Sequence, residues 1–255
     1  MKGELFEGIK QWEFEKDGTK GKLPVFYYDN TTLTAIYTAS TKKVKAHLPH
    51  PAMRPVELFP GRCLVAFTAF EYRETDIDPY NEFSITCLIT FDRPQVPGLT
   101  VTGMLARRCF TGYVWHLPVT TEIARVGGVE LYGYPKFLAD IEFTKENGWI
   151  TCDLSEKGTR ILSLKGRVLP TKKGKVTRYI TYPVKDGIPL KANVYVNPLE
   201  FAESRNRSDV ELTVGSGHAI CDELGGIGLS KKPVVYQYLP LNEAILFGGR
   251  NLIDQ

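Results

Sequence analysis

The sequence predicts a mainly β chain of the α+β class, in which antiparallel strands close into a barrel or two curved sheets carrying a few short helices. Three observations lead there. Short runs rich in β-branched and aromatic residues recur between Gly, Pro, Asn and Asp punctuation. Tight-turn signals join neighbouring runs, which favours hairpins over βαβ crossovers. Helical periodicity is confined to brief segments.

In chain order, STKKVKAHL (40–48) reads as a helix entered from a Ser40 cap. RCLVAFTAFEY (62–72), EFSITCLITF (82–91), GLTVTGML (98–105) and CFTGYVWH (109–116) read as strands, because Val, Ile, Thr and aromatic side chains fit a pleated, half-buried surface. The TTEIARVGGV region (120–129) reads as helical, and ENG (146–148) as a tight turn. GWITCDLS (148–155), RILSLKGRV (160–168), VTRYITYPV (176–184) and PLKANVYV (189–196) read as strands, with TKKGK (171–175) as the turn of a hairpin. NPLEFAESR (197–205) and GHAICDELG (217–225) read as helices, the second with Gly225 as its C-cap. The pairs Gly127-Gly128 and Gly225-Gly226 lack a phosphate-loop pattern and read as turns. No linker, repeat or low-complexity tract interrupts the chain, so one domain over 1–255 is expected.

Composition narrows the function classes. The chain has 255 residues, 43% hydrophobic and 24% charged, enough to bury a sizeable core. Its net charge of +3 arises from 32 cations against 29 anions, too even a mixture for nucleic acid or a membrane surface to be the expected partner. The clusters Lys42-Lys43-Val44-Lys45 and Lys172-Lys173-Gly174-Lys175 read as a solvated helix face and a hairpin tip. The amino-terminal stretch MKGELFEGIKQWEFEKDG has no signal-peptide core, and no later stretch reaches the ~18 apolar residues of a membrane span, so a cytoplasmic location is expected. Five cysteines, an odd number set far apart, read as free buried thiols.

Familiar catalytic patterns are missing. His47, His50, His116 and His218 form no zinc spacing, and VGSGHA (214–219) is not a nucleophile elbow, its glycines instead introducing the helix that follows. No metal or cofactor is expected. What stands out is ELYGYPKFLA (130–139), where Lys136 sits in an aromatic and aliphatic run with no other cation between Arg125 and Lys145. A free lysine with a pKa of ~10.4 is neutral about once in 2,500 at pH 7, and only the neutral amine attacks a carbonyl. Desolvation can lower a lysine pKa by ~3–5 units, so a dry site could half-neutralise Lys136 for roughly 5 kcal/mol. Tyr134, Pro135, Phe137 and Leu138 offer walls for such a site. A stem packed on aromatics with its amine in water accounts for the same residues.

Taken together, HLPVTTEIARVGGVELYGYPKFLADI (116–141) and FEYRETDIDPYNEFSI (70–85) resemble the two signature regions of the acetoacetate decarboxylase superfamily. The specific features are the Glu-x-x-x-Tyr-Pro-Lys segment ending at Lys136 and the Tyr-x-Glu segment ending at Glu82. The resemblance implies that Lys136 forms a Schiff base with a substrate ketone and that Glu82 acts as an acid/base group. Lysines of acetoacetate decarboxylases are themselves the standing example of such activation. It also implies a structural or supporting role for Glu130, and pocket positions for Tyr80 and Tyr134. The implied activity is carbon–carbon lysis through a lysine Schiff base, with acetoacetate or a related β-keto acid as substrate and a homo-oligomeric assembly.

The sequence departs from the family in ways that bear on substrate. Phe137 stands where the best-known members carry a second lysine, which leaves desolvation to lower the pKa of Lys136. The family arginine that could hold a substrate carboxylate falls near Asn30, and a second acidic pocket residue falls near Phe67. Arg73 and Arg125 are then candidate carboxylate partners. Aldolase- or dehydratase-type imine chemistry, and a non-catalytic small-molecule binding barrel, are the alternative readings.

Overall fold

The computed structural model describes residues 3–16 and 19–251, so the ends of the domain expected over 1–255, and part of the amino-terminal stretch read for targeting, lie outside the described residues. The first half of the chain runs β1 (Trp12–Lys16), β2 (Thr19–Leu23), β3 (Val25–Ser40), α1 (Thr41–Lys45), β4 (Met53–Pro55), β5 (Glu57–Phe59), β6 (Arg62–Thr75), β7 (Tyr80–Phe91), α2 (Leu99–Arg107), β8 (Cys109–His116) and α3 (Glu122–Tyr132). The second half runs β9 (Asp140–Glu146), β10 (Trp149–Glu156), β11 (Thr159–Arg167), β12 (Thr177–Thr181), β13 (Val184–Lys185), β14 (Ile188–Ser204), β15 (Val210–Val214), α4 (Ala219–Gly226) and β16 (Val235–Asn251).

Pairing of β6 with β7 closes the ring β7-β8-β12-β14-β16-β3-β6 into a seven-stranded barrel. Its pairs are antiparallel except β8 with β12, which run parallel. A separate four-stranded sheet, β15-β11-β10-β9, packs on one wall of the barrel. Seven strands leave no room inside for another sheet, so the wall face that meets it is the outer one. Leu33, Phe67 and Ile85 from the barrel wall share one core there with Leu154, Leu162 and Ile220. Each fully buried side chain of that size contributes about 1.5–3 kcal/mol. The alternate positions, which carry Glu82, Tyr80 and Tyr72, face into the barrel. Both faces of β6 and β7 are therefore covered, which explains why RCLVAFTAF reads as a nearly continuous apolar run.

The ENG turn forms as expected: Asn147 (φ 51°) and Gly148 (φ 76°) make the left-handed turn that joins β9 to β10. Several other expectations are corrected. GLTVTGML is not a strand but the body of α2, whose Val101 and Met104, three residues apart, pack into one core with Leu64, Ala66 and Leu88. NPLEFAESR is not a helix: it completes β14, which pairs with β16 out to Ser204↔Tyr236. Long-range pairing there overrides the helical preference of Leu, Glu and Ala. TKKGK is no hairpin, and its lysines are not a hairpin tip, because β11 lies in the four-stranded sheet and β12 in the barrel. The segment crosses between them, with Lys172 bridged to Phe201. Both Gly-Gly pairs lie inside helices, α3 and α4, and the cap of α4 is Ile227 rather than Gly225. Ser40 does occupy the cap of α1, without a capping side-chain bond. The five cysteines are free, all but Cys109 of them buried. Among the described residues no helix is long and apolar enough to cross a membrane.

Candidate active site

The segment from Val119 to Leu138 lays α3 against the inner core that holds Tyr27, Tyr72 and Tyr80, then brings the chain back to the edge of the barrel. Helix α3 ends in an αL cap. Gly133 takes φ 69°, its N–H donates to the Val129 carbonyl (3.0 Å), and the Tyr134 N–H donates to the Gly128 carbonyl (3.0 Å). A tight turn follows across Pro135, in which the Lys136 N–H donates to the Tyr134 carbonyl at 2.8 Å. The chain then runs extended beside Val119, which donates to the Phe137 carbonyl (2.9 Å) and accepts from the Ala139 N–H (3.0 Å). Val119 also bridges Glu82 of β7. One residue thus fixes the backbones that carry Glu82 and Lys136.

The two side chains meet. Lys136 Nζ lies 2.7 Å from Glu82 Oε2, and the side chains are only 5% and 9% exposed. Nζ stands 5.6 Å from the centre of the Tyr80 ring. The Tyr72 hydroxyl reaches Glu82 Oε1 at 3.5 Å, and the Tyr27 and Tyr80 hydroxyls are 3.3 Å apart. Burial, and after it the negative charge of Glu82, pushes the phenols of Tyr27, Tyr72 and Tyr80 well above their ordinary value of 10.0. They stay neutral, so the pair is surrounded by donors that add no charge.

A cavity of about 20 Å³ adjoins the Lys136 stem, with Val25, Ile77, Ile123, Leu131, Tyr132 and Leu246 among its walls. That is room for a water molecule. Gly128 presses on the same stem: a Cβ built there would lie 2.3 Å from Lys136 Cδ and 2.5 Å from Cε. Its role was hidden by reading Gly127-Gly128 as a turn. The signal that reveals it is the i, i+4 spacing of Ala124, Gly128 and Tyr132, all buried on one face of α3.

The structure distributes the other sequence candidates as follows. Tyr134 lines the cavity and its hydroxyl bonds Thr181 Oγ1 at 2.6 Å; burial pushes its phenol up as well. Phe137 points the other way and packs against the outer core, while Leu138 is largely exposed, so neither walls the lysine. Successive residues of an extended chain face opposite sides, which sends Phe137 away from Lys136. Glu130 lies outside the cavity, where Lys185 Nζ donates to its carbonyl (2.7 Å) and contacts its carboxylate (3.3 Å), tying the end of α3 to β13. Asn30 shares a cross-strand row with Tyr72 and Tyr80. Its amide is engaged with the Asn242 carbonyl (2.7 Å), and Asn242 donates back to the Asn30 carbonyl (3.0 Å), a clasp between β3 and β16 outside the cavity lining. Phe67 belongs to the outer core, on the face opposite Glu82. Arg73 is held by Asp29 and Glu71, and Arg125 by Glu122, so neither reaches the site. Among the described residues no group of His, Cys, Asp and Glu is placed to hold a metal ion.

The family model described as acetoacetate decarboxylase (ADC) matches residues 15–180. No curated protein sequence matches the chain. Solved structures of the same fold include an acetoacetate decarboxylase from Legionella pneumophila (13% identity, TM-score 0.64, covering 90% of this chain and 87% of that one). Another is the enduracididine biosynthesis enzyme MppR complexed with the condensation product of pyruvate and imidazole 4-carboxaldehyde (14% identity, TM-score 0.65, covering 90% and 89%). A third, an acetoacetate decarboxylase-like enzyme from Sphingomonas wittichii, has 14% identity and a TM-score of 0.54, covering 90% and 93%.

Proposed function

The chain belongs to the acetoacetate decarboxylase family, and on that premise we propose that it is a carbon–carbon lyase that decarboxylates a β-keto acid through a Schiff base on Lys136. The observation that supports this reading most directly is the buried contact of Lys136 Nζ with Glu82 Oε2 at 2.7 Å, ringed by neutral tyrosines.

The contact changes how the amine is activated. Desolvation need not strip the proton alone. Here a carboxylate lies within hydrogen-bond reach, so the proton can pass from Nζ to Oε2 and convert a buried ion pair into two neutral groups. The freed amine attacks the ketone, and protonated Glu82 gives its proton to the departing hydroxyl, so that the carbinolamine loses water and leaves an iminium ion beside the Glu82 carboxylate. The bond from the α-carbon to the carboxylate then breaks, carbon dioxide leaves, and the electron pair neutralises the iminium as an enamine. The enamine carbon takes up a proton from solvent, relayed by Glu82, and water then hydrolyses the regenerated iminium, releasing the ketone and the protonated lysine. The cavity is too small for a keto acid, so entry requires side chains of α3 such as Ile123 and Leu131 to swing aside.

Incubation with acetoacetate followed by borohydride tests the proposal: a mass increase on the peptide containing Lys136, with carbon dioxide release that Lys136→Ala abolishes, is the expected result. An adduct without carbon dioxide favours aldolase- or dehydratase-type chemistry. Binding of carbonyl ligands with no adduct favours a non-catalytic binding barrel.

A further inference from the structure

Glu82 does not stand alone on the inner face of β7. Ser84 and Thr86, two and four residues further along, face the same way, and their hydroxyls are 2.6 Å apart. Ser84 is paired across strands with Thr68 of β6, and Thr68 with Thr34 of β3. The Thr34 hydroxyl donates to Thr68 Oγ1 at 3.2 Å. These four hydroxyls form a polar tier inside the barrel, between the paired residues Glu82 and Phe70 and the apolar layer of Leu64, Ala66 and Leu88 that packs with α2.

Valine or isoleucine would fill these inward positions without bringing in polar atoms that need partners. Thr34, Thr68 and Thr86 are moreover partly exposed in the middle of their strands, while their outward-facing neighbours Ala35, Phe67 and Cys87 are fully buried. Water therefore has room beside the threonines. Along β6 and β7 the inward positions from Glu82 to the apolar layer carry no other ionisable side chain. Hydroxyls and water are the proton carriers this wall offers.

Decarboxylation of a keto acid anion to a ketone consumes one proton per turnover, and the side chain of Glu82 is only 9% exposed. We propose that the hydroxyls of Ser84, Thr86, Thr68 and Thr34, joined by water, form the relay that returns a solvent proton to Glu82. The relay rests on the Schiff-base reading of Lys136. Each hydroxyl accepts a proton on its oxygen as it gives up its own, so none is consumed, and one proton reaches the Glu82 carboxylate for each carbon dioxide released. Glu82 and Ser84, two residues apart on one strand, are separated by about 7 Å between Cα atoms, a gap their side chains and one water span.

Ser84→Ala combined with Thr68→Val removes the oxygens and keeps the packing. Acetoacetate is the probe. Borohydride trapping on Lys136 and the first equivalent of carbon dioxide need no proton from solvent, so both should stay within about twofold of the unaltered protein. Later turnovers should slow about tenfold or more, giving a burst, with a larger solvent isotope effect on the slow phase. Ser84→Thr with Thr68→Ser, which keeps both hydroxyls, should restore steady turnover; if the first pair does not fold, Thr68→Val alone should show the same burst. Steady turnover as fast as in the unaltered protein overturns the relay, and so does an equal fall in trapping and turnover, which assigns these residues to packing. If the unaltered protein gives no adduct, or an adduct without carbon dioxide, the decarboxylase reading fails and the relay that serves it fails too.

Discussion

Replacing Gly128 with alanine adds one methyl group where the site has no room for it. The new Cβ would lie 2.3 Å from Lys136 Cδ. Carbon atoms in ordinary contact are about 3.5–4.0 Å apart, so the lysine stem must retreat by roughly 1.2 Å or more. The hydrogen bond to Glu82, now 2.7 Å, tolerates only about 0.5 Å of stretch before it is lost. The helix itself gains, since Ala is better than Gly by about 1 kcal/mol in a helix interior, while overpacking costs about 1–3 kcal/mol. The fold should therefore survive with a small change in Tm, while displacement of the amine by about 1 Å lowers the rate of adduct formation about 10²-fold. Borohydride trapping under single-turnover conditions measures that rate. Gly225→Ala in α4, where an added Cβ meets nothing within 4 Å, isolates the helix-propensity effect. If Gly128→Ala traps ketones as fast as the unaltered protein, the claim that this glycine seats the lysine is wrong.

Three other outcomes are expected. Glu82→Gln keeps the shape of the site but cannot take or return the proton, so kcat should fall about 10²–10⁴-fold, with a solvent isotope effect on the residual rate as the second readout. Asn242→Ala removes the side-chain amide that donates to the Asn30 carbonyl and to Thr32 Oγ1 while keeping the backbone carbonyl that Asn30 donates to, and should destabilise the protein by about 1–3 kcal/mol in urea unfolding, with little change in KM. Burial pulls His116 below its ordinary value of 6.5, against the opposing pull of Glu223 at 2.7 Å. The folded protein therefore binds that proton less readily than the unfolded chain. Stability should be full above pH 6.5 and fall as the pH drops through 6.5 toward the lowered folded value; unfolding midpoints at pH 7.5 and 5.5 should differ, and His116→Gln should flatten the difference. Carboxylates such as Glu156, held low by His218, act in a more acidic window.

Strands were legible where local chemistry and tertiary pairing agree, and illegible where they conflict. RILSLKGRV and GWITCDLS are β-rich in composition and pair with each other as β11 and β10. NPLEFAESR has helix-favouring residues, yet β16 offers it a continuous partner strand, and the sequence of one strand does not announce its distant mate. GLTVTGML fails in the opposite sense. Its β-branched residues read as a strand, but a positive φ of 72° at Gly98 and a left-handed Arg108 (φ 47°) bound a helix that buries Val101 and Met104.

At the site, the segments carrying Lys136 and Glu82 stand out in the sequence, but the contact between the two side chains does not, because it depends on Val119. That residue looks like an ordinary apolar position in HLPVTTE. By bridging Glu82 on one side and Leu138 on the other, it sets the spacing between a barrel strand and a returning loop. The alternation of the extended chain then decides which side chains enter the site: Lys136 turns toward Glu82, and Phe137 turns into the outer core. A reading that gathers all neighbours of Lys136 in sequence as its walls therefore includes the wrong half of them. The true walls come from Val25, Ile77 and Leu246, distant in sequence, and from the glycine and alanine face of α3. The placement of this amine is consequently a property of the barrel interior and of helix docking, and changes at Gly128 or Val119 should affect imine formation although neither residue has a group that can react.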